Sequence, residues 1–158
     1  LEALKPGLAA NIQPEDAAQF ALQRELVSLL ALEAFFADGL ELVCRHAGLA
    51  PPFTDDWPAY LLVESAGRSG SDGGAGELAA LLAGCDDVRA TAVATDANGR
   101  SRLWAYRERH TEAINADGVP HKLDVPLPYT RLVDFASSVG GVIAAAAPGA
   151  RAIVFGHV

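Results

Sequence analysis

The stretch VRATAVATDANGRSRLWAYRERHTEAINADG, residues 88–118, contains the structural unit from which the fold of this chain can be predicted. Residues 88–95 alternate in character and include β-branched side chains, which is typical of a β-strand. Asp96 follows at a position suited to a helix N-cap, and residues 97–118 then predict one long helix. The sequence therefore indicates a short strand followed directly by a helix.

Similar units occur on both sides of this stretch. Strands are predicted at 7–12, 28–36, 59–67 and 151–158, and helices at 14–26, 38–48, 77–85 and 129–147. The Leu and Ala content of 28–36 would also suit a helix. Asp38 is expected to be the N-cap of the second of these helices, and Gly48 is expected to end it. The predicted core includes Leu62, Val63, Ala92, Val93, Trp104, Ile153 and Val154.

Alternating short strands and helices permit two architectures. One is a parallel doubly wound sheet, and the other is a ferredoxin-like α+β sandwich in which helices cover mainly one face of an antiparallel sheet. Neither G-x-G-x-x-G nor G-x-x-x-x-G-K-[ST] occurs in the chain, although a nucleotide-binding doubly wound fold usually carries such a glycine turn. We therefore predict a truncated ferredoxin-like α+β domain.

Composition excludes several classes of partner. The chain has 158 residues, and 20 acidic against 12 basic side chains give it a net charge of -8. This charge repels phosphate backbones, so we expect no nucleic-acid partner. No apolar run is long enough to cross a bilayer, and the first residues lack a secretory signal, so a cytoplasmic location is expected. The two cysteines, Cys44 and Cys85, are expected to be buried thiols.

A basic cluster near the middle of the chain is a candidate anion site. Arg107 and Thr111 lie four residues apart, which places them on the same face of a helix, and Lys122 follows beyond a Gly-Pro turn. A guanidinium, an ammonium and a hydroxyl together suit a small carboxylic acid. The alternative is that residues 107–112 form an ordinary solvated helix face with intrahelical ion pairs.

His157, beside a glycine in the last predicted strand, leaves three interpretations open. It can be a metal ligand, a general base or a core residue with its hydrogen bonds satisfied. The four histidines show neither H-x-x-x-H nor H-E-x-x-H spacing, so this chain alone does not define a complete metal site.

Three motifs, taken together, carry a family resemblance. ATDANGRSRLWAYRERHTEAINADG, HKLDVPLPYTRLVDF and VFGHV resemble, in order and spacing, the C-terminal substrate (cap) domain of FAD-linked oxidases that act on D-2-hydroxy acids. The resemblance is clearest from Leu30 to Val158. It implies that residues 1–158 are a fragment of this domain, from a flavin-dependent dehydrogenase of the D-2-hydroxyglutarate or D-lactate type.

The resemblance also implies partners and cofactors. The FAD would be bound mainly by a separate domain that this chain lacks, so the fragment alone is expected to be inactive, and the electron acceptor is left unspecified. A sheet that ends at a catalytic motif is expected to favour homo-oligomer formation by the isolated piece. Two alternatives to an enzyme are a non-catalytic module that binds small anions for regulation and a plain interaction domain.

In that family, residues matching Arg107, Thr111 and Lys122 hold the substrate carboxylates. His157 matches the first histidine of a G-D-G-N-x-H motif that holds a divalent metal, commonly zinc, near the 2-hydroxyl of the substrate. The sequence departs from the family at His110 and Tyr106, where aliphatic residues are usual, and at Pro126, which replaces a common serine. These departures bear on which acid is recognised.

Overall fold

A computed structural model describes residues 2–4, 28–66 and 75–158. Its strands are β1 (Glu2–Leu4), β2 (Ser28–Phe36), β3 (Ala59–Ala66), β4 (Val88–Thr91) and β5 (Phe155–His157). Its helices are α1 (Ala37–Ala47), α2 (Ala75–Ala83), α3 (Ala97–Glu108), α4 (His110–Asp117) and α5 (Tyr129–Ala146). The strand predicted at 7–12 and the helix predicted at 14–26 lie outside the described residues.

The described strands form one antiparallel sheet in the order β4-β1-β3-β2-β5. The longest pairing joins β2 to β3, in which Glu33 lies opposite Leu62 and Phe35 lies opposite Tyr60. The antiparallel α+β prediction is therefore confirmed, and the parallel doubly wound alternative is excluded. Because β4 and β5 are the outer strands of this sheet, self-association through an edge stays a prediction.

One face of the sheet carries both the core and the helices. Phe35, Tyr60 and Leu62 are buried on this face, and Leu40 of α1 completes the cluster. The rings of Phe35 and Tyr60 stack with their centroids 5.6 Å apart, and Trp104 of α3 packs against the same cluster. Since alternate residues of a strand face the same side, this periodicity places α1, α3 and α4 together over one face.

The 88–118 stretch folds as predicted at its start but not throughout. Asp96 is the N-cap of α3, and its Oδ1 accepts a hydrogen bond of 2.8 Å from the Gly99 N–H. The strand ends at Thr91 rather than at residue 95, and the single long helix is divided into α3 and α4 at Arg109, where φ is -81° and ψ is 0°. Neither boundary carries a proline or glycine, which explains why the sequence pattern did not predict it.

The ends of α1 test two predicted caps. Gly48 ends the helix in the left-handed region with φ of 65°, as predicted, because glycine has no Cβ to clash there. Asp38 is not the N-cap: the helix begins one residue earlier, with Phe36 at the cap position. Asp38 instead lies in the first turn, where its carboxylate accepts the N–H of Gly39 at 2.8 Å.

The predicted core is partly correct. Leu62 is buried, and the other predicted members are partly buried with one exception. Val93 is 58% exposed because β4 ends before it, so the alternation of the sheet no longer directs its side chain inward. Cys44 and Cys85 are half-buried rather than buried. Among the described residues, no helix has both the length and the apolar character needed to cross a membrane.

Candidate functional site

Arg107, the first predicted site residue, lies in the last turn of α3 with a side chain that is 17% exposed. Its Nε donates a hydrogen bond of 2.6 Å to Oε2 of Glu33, on the inner strand β2. Its Cζ lies 4.7 Å from the ring centroid of Phe155, an arrangement typical of a cation–π contact. The guanidinium is therefore fixed by a carboxylate and by an aromatic face, and it does not move freely in solvent.

Glu33 is the buried anion of this site, with a side chain only 3% exposed. It lies in the sheet between Leu62 on β3 and His157 on β5, which are its partners in the strand register. While Oε2 binds Arg107, Oε1 contacts Nδ1 of His157. A charge removed from water needs such partners, because an unpaired buried carboxylate would cost several kcal/mol, as a rough estimate.

His157 lies on the outer strand β5 with a side chain that is 86% exposed. An ionised carboxylate can only accept hydrogen bonds, so the ring nitrogen that contacts Glu33 must carry a hydrogen. Nε2, the other ring nitrogen, has no hydrogen-bond partner in the described part of the chain. The structure therefore joins Arg107 and His157 through one carboxylate, a link that the sequence did not predict.

Thr111 and Lys122 occupy more open positions. Thr111 is exposed on α4, and Lys122 is exposed in the irregular segment 119–128 between α4 and α5. Neither side chain forms a hydrogen bond or ion pair with another residue in the ranges that the structure describes. No hydrogen bond or ion pair therefore joins the members of the predicted trio of Arg107, Thr111 and Lys122 in the described residues.

The alternative of a solvated helix face holds only for the neighbours of Arg107. Glu108, Arg109 and Glu112 are exposed, and Glu112 pairs with His46 of α1 across 3.2 Å rather than within its own helix. Arg107 differs from them, since its ion-pair partner is a buried residue 74 positions away in the chain. An ordinary surface arginine has no such partner, so Arg107 has a specific role in this structure.

His110, which the sequence did not place in the core, is fully buried beneath the site. Its ring packs at centroid distances of 4.8 Å from Phe155 and 5.3 Å from Phe35. Its Nδ1 lies 3.2 Å from the carbonyl oxygen of Arg107, to which it donates as the neutral ring, while Nε2 has no partner in the described residues. Burial is the largest cause that lowers the pKa of His110 from 6.5 to about 4, so the ring is neutral at pH 7.

The sequence contains a signal for Glu33. SLLALEAFF contains one charged residue in an otherwise apolar strand, and a lone carboxylate at such a position either faces water or has a buried partner. His110 gave no comparable signal, because it follows Arg107, Glu108 and Arg109 in a polar stretch of sequence. It is buried by the packing of α4 against α1 and by the rings of Phe35 and Phe155.

A cavity of about 320 Å³ lies between α2, β3 and α3, where it is lined by Leu82, Glu64, Arg100 and Trp104 among others. None of Glu33, Arg107 and His157 lines it, so this cavity is separate from the candidate site.

The described residues contain no cluster of side chains that could bind a metal ion. Within these residues no group of three or more His, Cys, Asp or Glu side chains converges as metal ligands would. His157 and Glu33 supply only two donor groups, and both oxygens of Glu33 already contact cationic or N–H partners. The expectation of zinc is therefore not supported by this structure.

The chain is similar to known proteins over most of its length. A model of the family "FAD linked oxidases, C-terminal domain" matches residues 13–158. Similar proteins from several organisms carry the name "D-2-hydroxyglutarate dehydrogenase, mitochondrial". The protein from Bos taurus is 36% identical over 156 residues, a region that covers 96% of this chain and 27% of the relative. Those from Rattus norvegicus and Danio rerio are 39% and 30% identical over 110 and 112 residues, each covering 67% of the chain and 20% of the relative.

These comparisons show that the expected cytoplasmic location is wrong, because the relatives are named as mitochondrial proteins. The expectation rested on the lack of a secretory signal. Import into an organelle uses a different, amphipathic and arginine-rich segment, so that lack does not bear on it. The chain spans 27% of the length of the bovine relative.

Proposed function

Because the chain belongs to the family of C-terminal domains of FAD-linked oxidases, we propose that it is the substrate-binding part of a flavin-dependent dehydrogenase. The complete protein would oxidise a D-2-hydroxy acid, of the D-2-hydroxyglutarate or D-lactate type, to the corresponding 2-oxo acid. The names of the relatives support this function over a non-catalytic module that binds anions. A separate FAD-binding domain would be the partner of this chain, and its flavin would accept the hydride.

The observation that carries the proposal is which nitrogens of the Arg107 side chain form hydrogen bonds. Its Nε is engaged with Glu33, whereas its two Nη groups have no hydrogen-bond partner among the described residues. The side chain is also 17% exposed, so these groups remain accessible to a ligand. Two adjacent N–H donors match the two oxygens of a carboxylate and bind it in a bidentate manner.

Thr111 and Lys122 are proposed to complete the binding of the acid. Both follow Arg107 along the chain, both are exposed, and neither is engaged with another described side chain. The ammonium of Lys122 would add a second positive charge near the substrate carboxylates, and the hydroxyl of Thr111 would donate a hydrogen bond to one of their oxygens. An anionic substrate is thereby attracted to this part of a protein whose overall charge is negative.

His157 is proposed to act at the other end of the substrate, near the 2-hydroxyl group. The unpartnered Nε2 supports this role, because such a nitrogen can accept a hydroxyl proton or bind a metal ion. If a divalent metal such as zinc is present in the complete protein, His157 would be one ligand, and the described residues do not supply the others. We therefore derive no step of the reaction from the metal.

Replacing Arg107 by lysine in the complete protein tests the proposal. Lysine keeps the positive charge but loses both the Nε–H donor and the paired Nη groups, so KM for the D-2-hydroxy acid should rise about tenfold or more, equivalent to at least about 1.4 kcal/mol. The matched control is Arg109→Lys, which changes an exposed arginine on the same helical stretch. Flavin content should be the same in both variants. Equal KM values for the two variants would show that Arg107 does not bind the substrate.

A further inference from the structure

We propose that Glu33 is a positioning residue that orients both Arg107 and His157, so that one buried carboxylate sets the geometry at both ends of the substrate site. This inference rests on the proposed function of Arg107 and His157 and extends it. Neither the sequence motifs nor the family resemblance gave Glu33 a role. Its evidence is the pair of contacts that its two oxygens make.

The first consequence concerns which part of Arg107 meets the substrate. A guanidinium offers carboxylates two edges, one formed by Nε with an Nη group and one formed by the two Nη groups. Glu33 occupies the first edge through its 2.6 Å hydrogen bond with Nε. The ring of Phe155 lies against one face of the same group, at 4.7 Å. An incoming carboxylate is therefore left with the edge formed by the two Nη groups.

The second consequence concerns the tautomer of His157. A neutral histidine side chain in water favours the tautomer with hydrogen on Nε2, but the contact with the Glu33 carboxylate requires a hydrogen on Nδ1. Glu33 therefore imposes the less common tautomer and leaves Nε2 with an available lone pair. The His157 side chain is 86% exposed and has no other partner among the described residues, so Glu33 is the residue that fixes it.

Glu33 is suited to this task because it is held rigidly. It lies near the middle of β2, which is paired with β3 on one side and with β5 on the other. Its side chain is 3% exposed, so water cannot easily replace either contact. Side chains on a central strand are positioned more accurately than side chains on loops, which is a requirement for a residue that orients others.

The test is the Glu33→Gln variant of the complete protein, in which the side chain keeps its size. The amide oxygen can still accept from Nε of Arg107, but the amide nitrogen is a donor and would face Nδ1 of His157. We expect the hydrogen of His157 to move from Nδ1 to Nε2. Nitrogen-15 NMR of labelled histidine, in EDTA-treated protein at a pH where the ring is neutral, reports the tautomer directly.

Kinetics provide the second measurement. In the same variant without EDTA, we expect kcat to fall at least tenfold, because Nε2 is no longer an acceptor, and KM to rise less than it does in Arg107→Lys. The matched control is Glu64→Gln on β3. Glu64 also accepts from an arginine and from a ring N–H, those of Arg100 and Trp104, but it contacts neither Arg107 nor His157. This control should leave the tautomer and kcat unchanged.

The outcomes separate this inference from the proposed function. If Glu33→Gln keeps the hydrogen on Nδ1 and has the kcat of the parent, the positioning role is wrong even when Arg107→Lys impairs substrate binding. If Arg107→Lys has no effect but the tautomer changes, the substrate role fails and the positioning of His157 stands. Should Glu33→Gln not fold, the double variant Glu33→Leu, Arg107→Leu removes both charges of the ion pair and leaves no acceptor for His157 at position 33. A hydrogen that stays on Nδ1 in the double variant would likewise overturn the inference.

Discussion

Acidification should destabilise this protein through His110, whose ring is fully buried and neutral in the folded state. Burial lowers the pKa of His110 from 6.5 to about 4. In the unfolded chain the ring is protonated below about pH 6.5, whereas in the folded chain it stays neutral down to about pH 4. Between these values the unfolded state binds more protons, so the free energy of unfolding must decrease as the pH falls.

The size of the effect follows from the difference between the two pKa values. One pKa unit corresponds to about 1.4 kcal/mol, so a difference of roughly 2.5 units corresponds to about 3 kcal/mol. The loss should begin near pH 6.5 and be complete below about pH 4. A loss of this size is a large fraction of the roughly 5–15 kcal/mol that stabilises a typical domain.

Urea unfolding followed by tryptophan fluorescence at a series of pH values measures this effect. Carboxylates also titrate in this range, so the parent should be compared at each pH with the His110→Leu variant, which lacks the ionisable ring. Near pH 7.5 the free energy of unfolding of the variant should be lower than that of the parent by about 1 kcal/mol, the value typical of one lost hydrogen bond. Between pH 7.5 and pH 4 the free energy of unfolding of the parent should fall by about 3 kcal/mol more than that of the variant. A difference that does not change with pH would refute the reasoning.

Two further changes have clear expected outcomes. In Gly39→Ala, the new Cβ would lie 2.6 Å from Nε2 of the buried His110, so overpacking of about 1–3 kcal/mol should outweigh the gain of roughly 1 kcal/mol in helix propensity. Urea unfolding should show a loss of stability that is relieved in combination with His110→Ala, and a variant more stable than the parent would contradict this contact. In Asp96→Ala, loss of the N-cap of α3 should cost about 1 kcal/mol, whereas Asp96→Asn should cost much less because asparagine also caps well. Equal losses in the two Asp96 variants would argue against a capping role.

Several elements of the fold could be predicted from the sequence because their causes are local. Asp96 caps α3 through a residue three positions away, and Gly48 ends α1 because its own backbone adopts a positive φ. The strand at 28–36 follows from its run of apolar and aromatic residues, and its predicted bounds match β2. Such features depend on neighbouring residues alone, so a pattern in the sequence is sufficient evidence for them.

The boundaries that the sequence did not predict depend on distant contacts. The helix divides at Arg109, where α4 turns so that its first residue, His110, packs against Phe35 and Phe155. Val93 alternates correctly in sequence, yet it is exposed because β4, which pairs with the short β1 among the described strands, ends at residue 91. In both cases the partner strand or core decides where an element ends, and local propensity is the weaker effect.

The candidate site also combines residues that the sequence predicted with a contact that depends on the tertiary structure. The sequence by itself made Arg107 and His157 candidates, because the chemical types of side chain and the family motifs can be recognised without a structure. Only the tertiary structure decided that Glu33 joins them, because this contact depends on the register of β2 with β5 and on the packing of α3 across the sheet. Arg107 and His157 lie 74 and 124 positions away from Glu33 along the chain, and both contact its side chain. No local pattern specifies such a meeting, since it is determined by how the whole sheet and its helices bury their apolar faces.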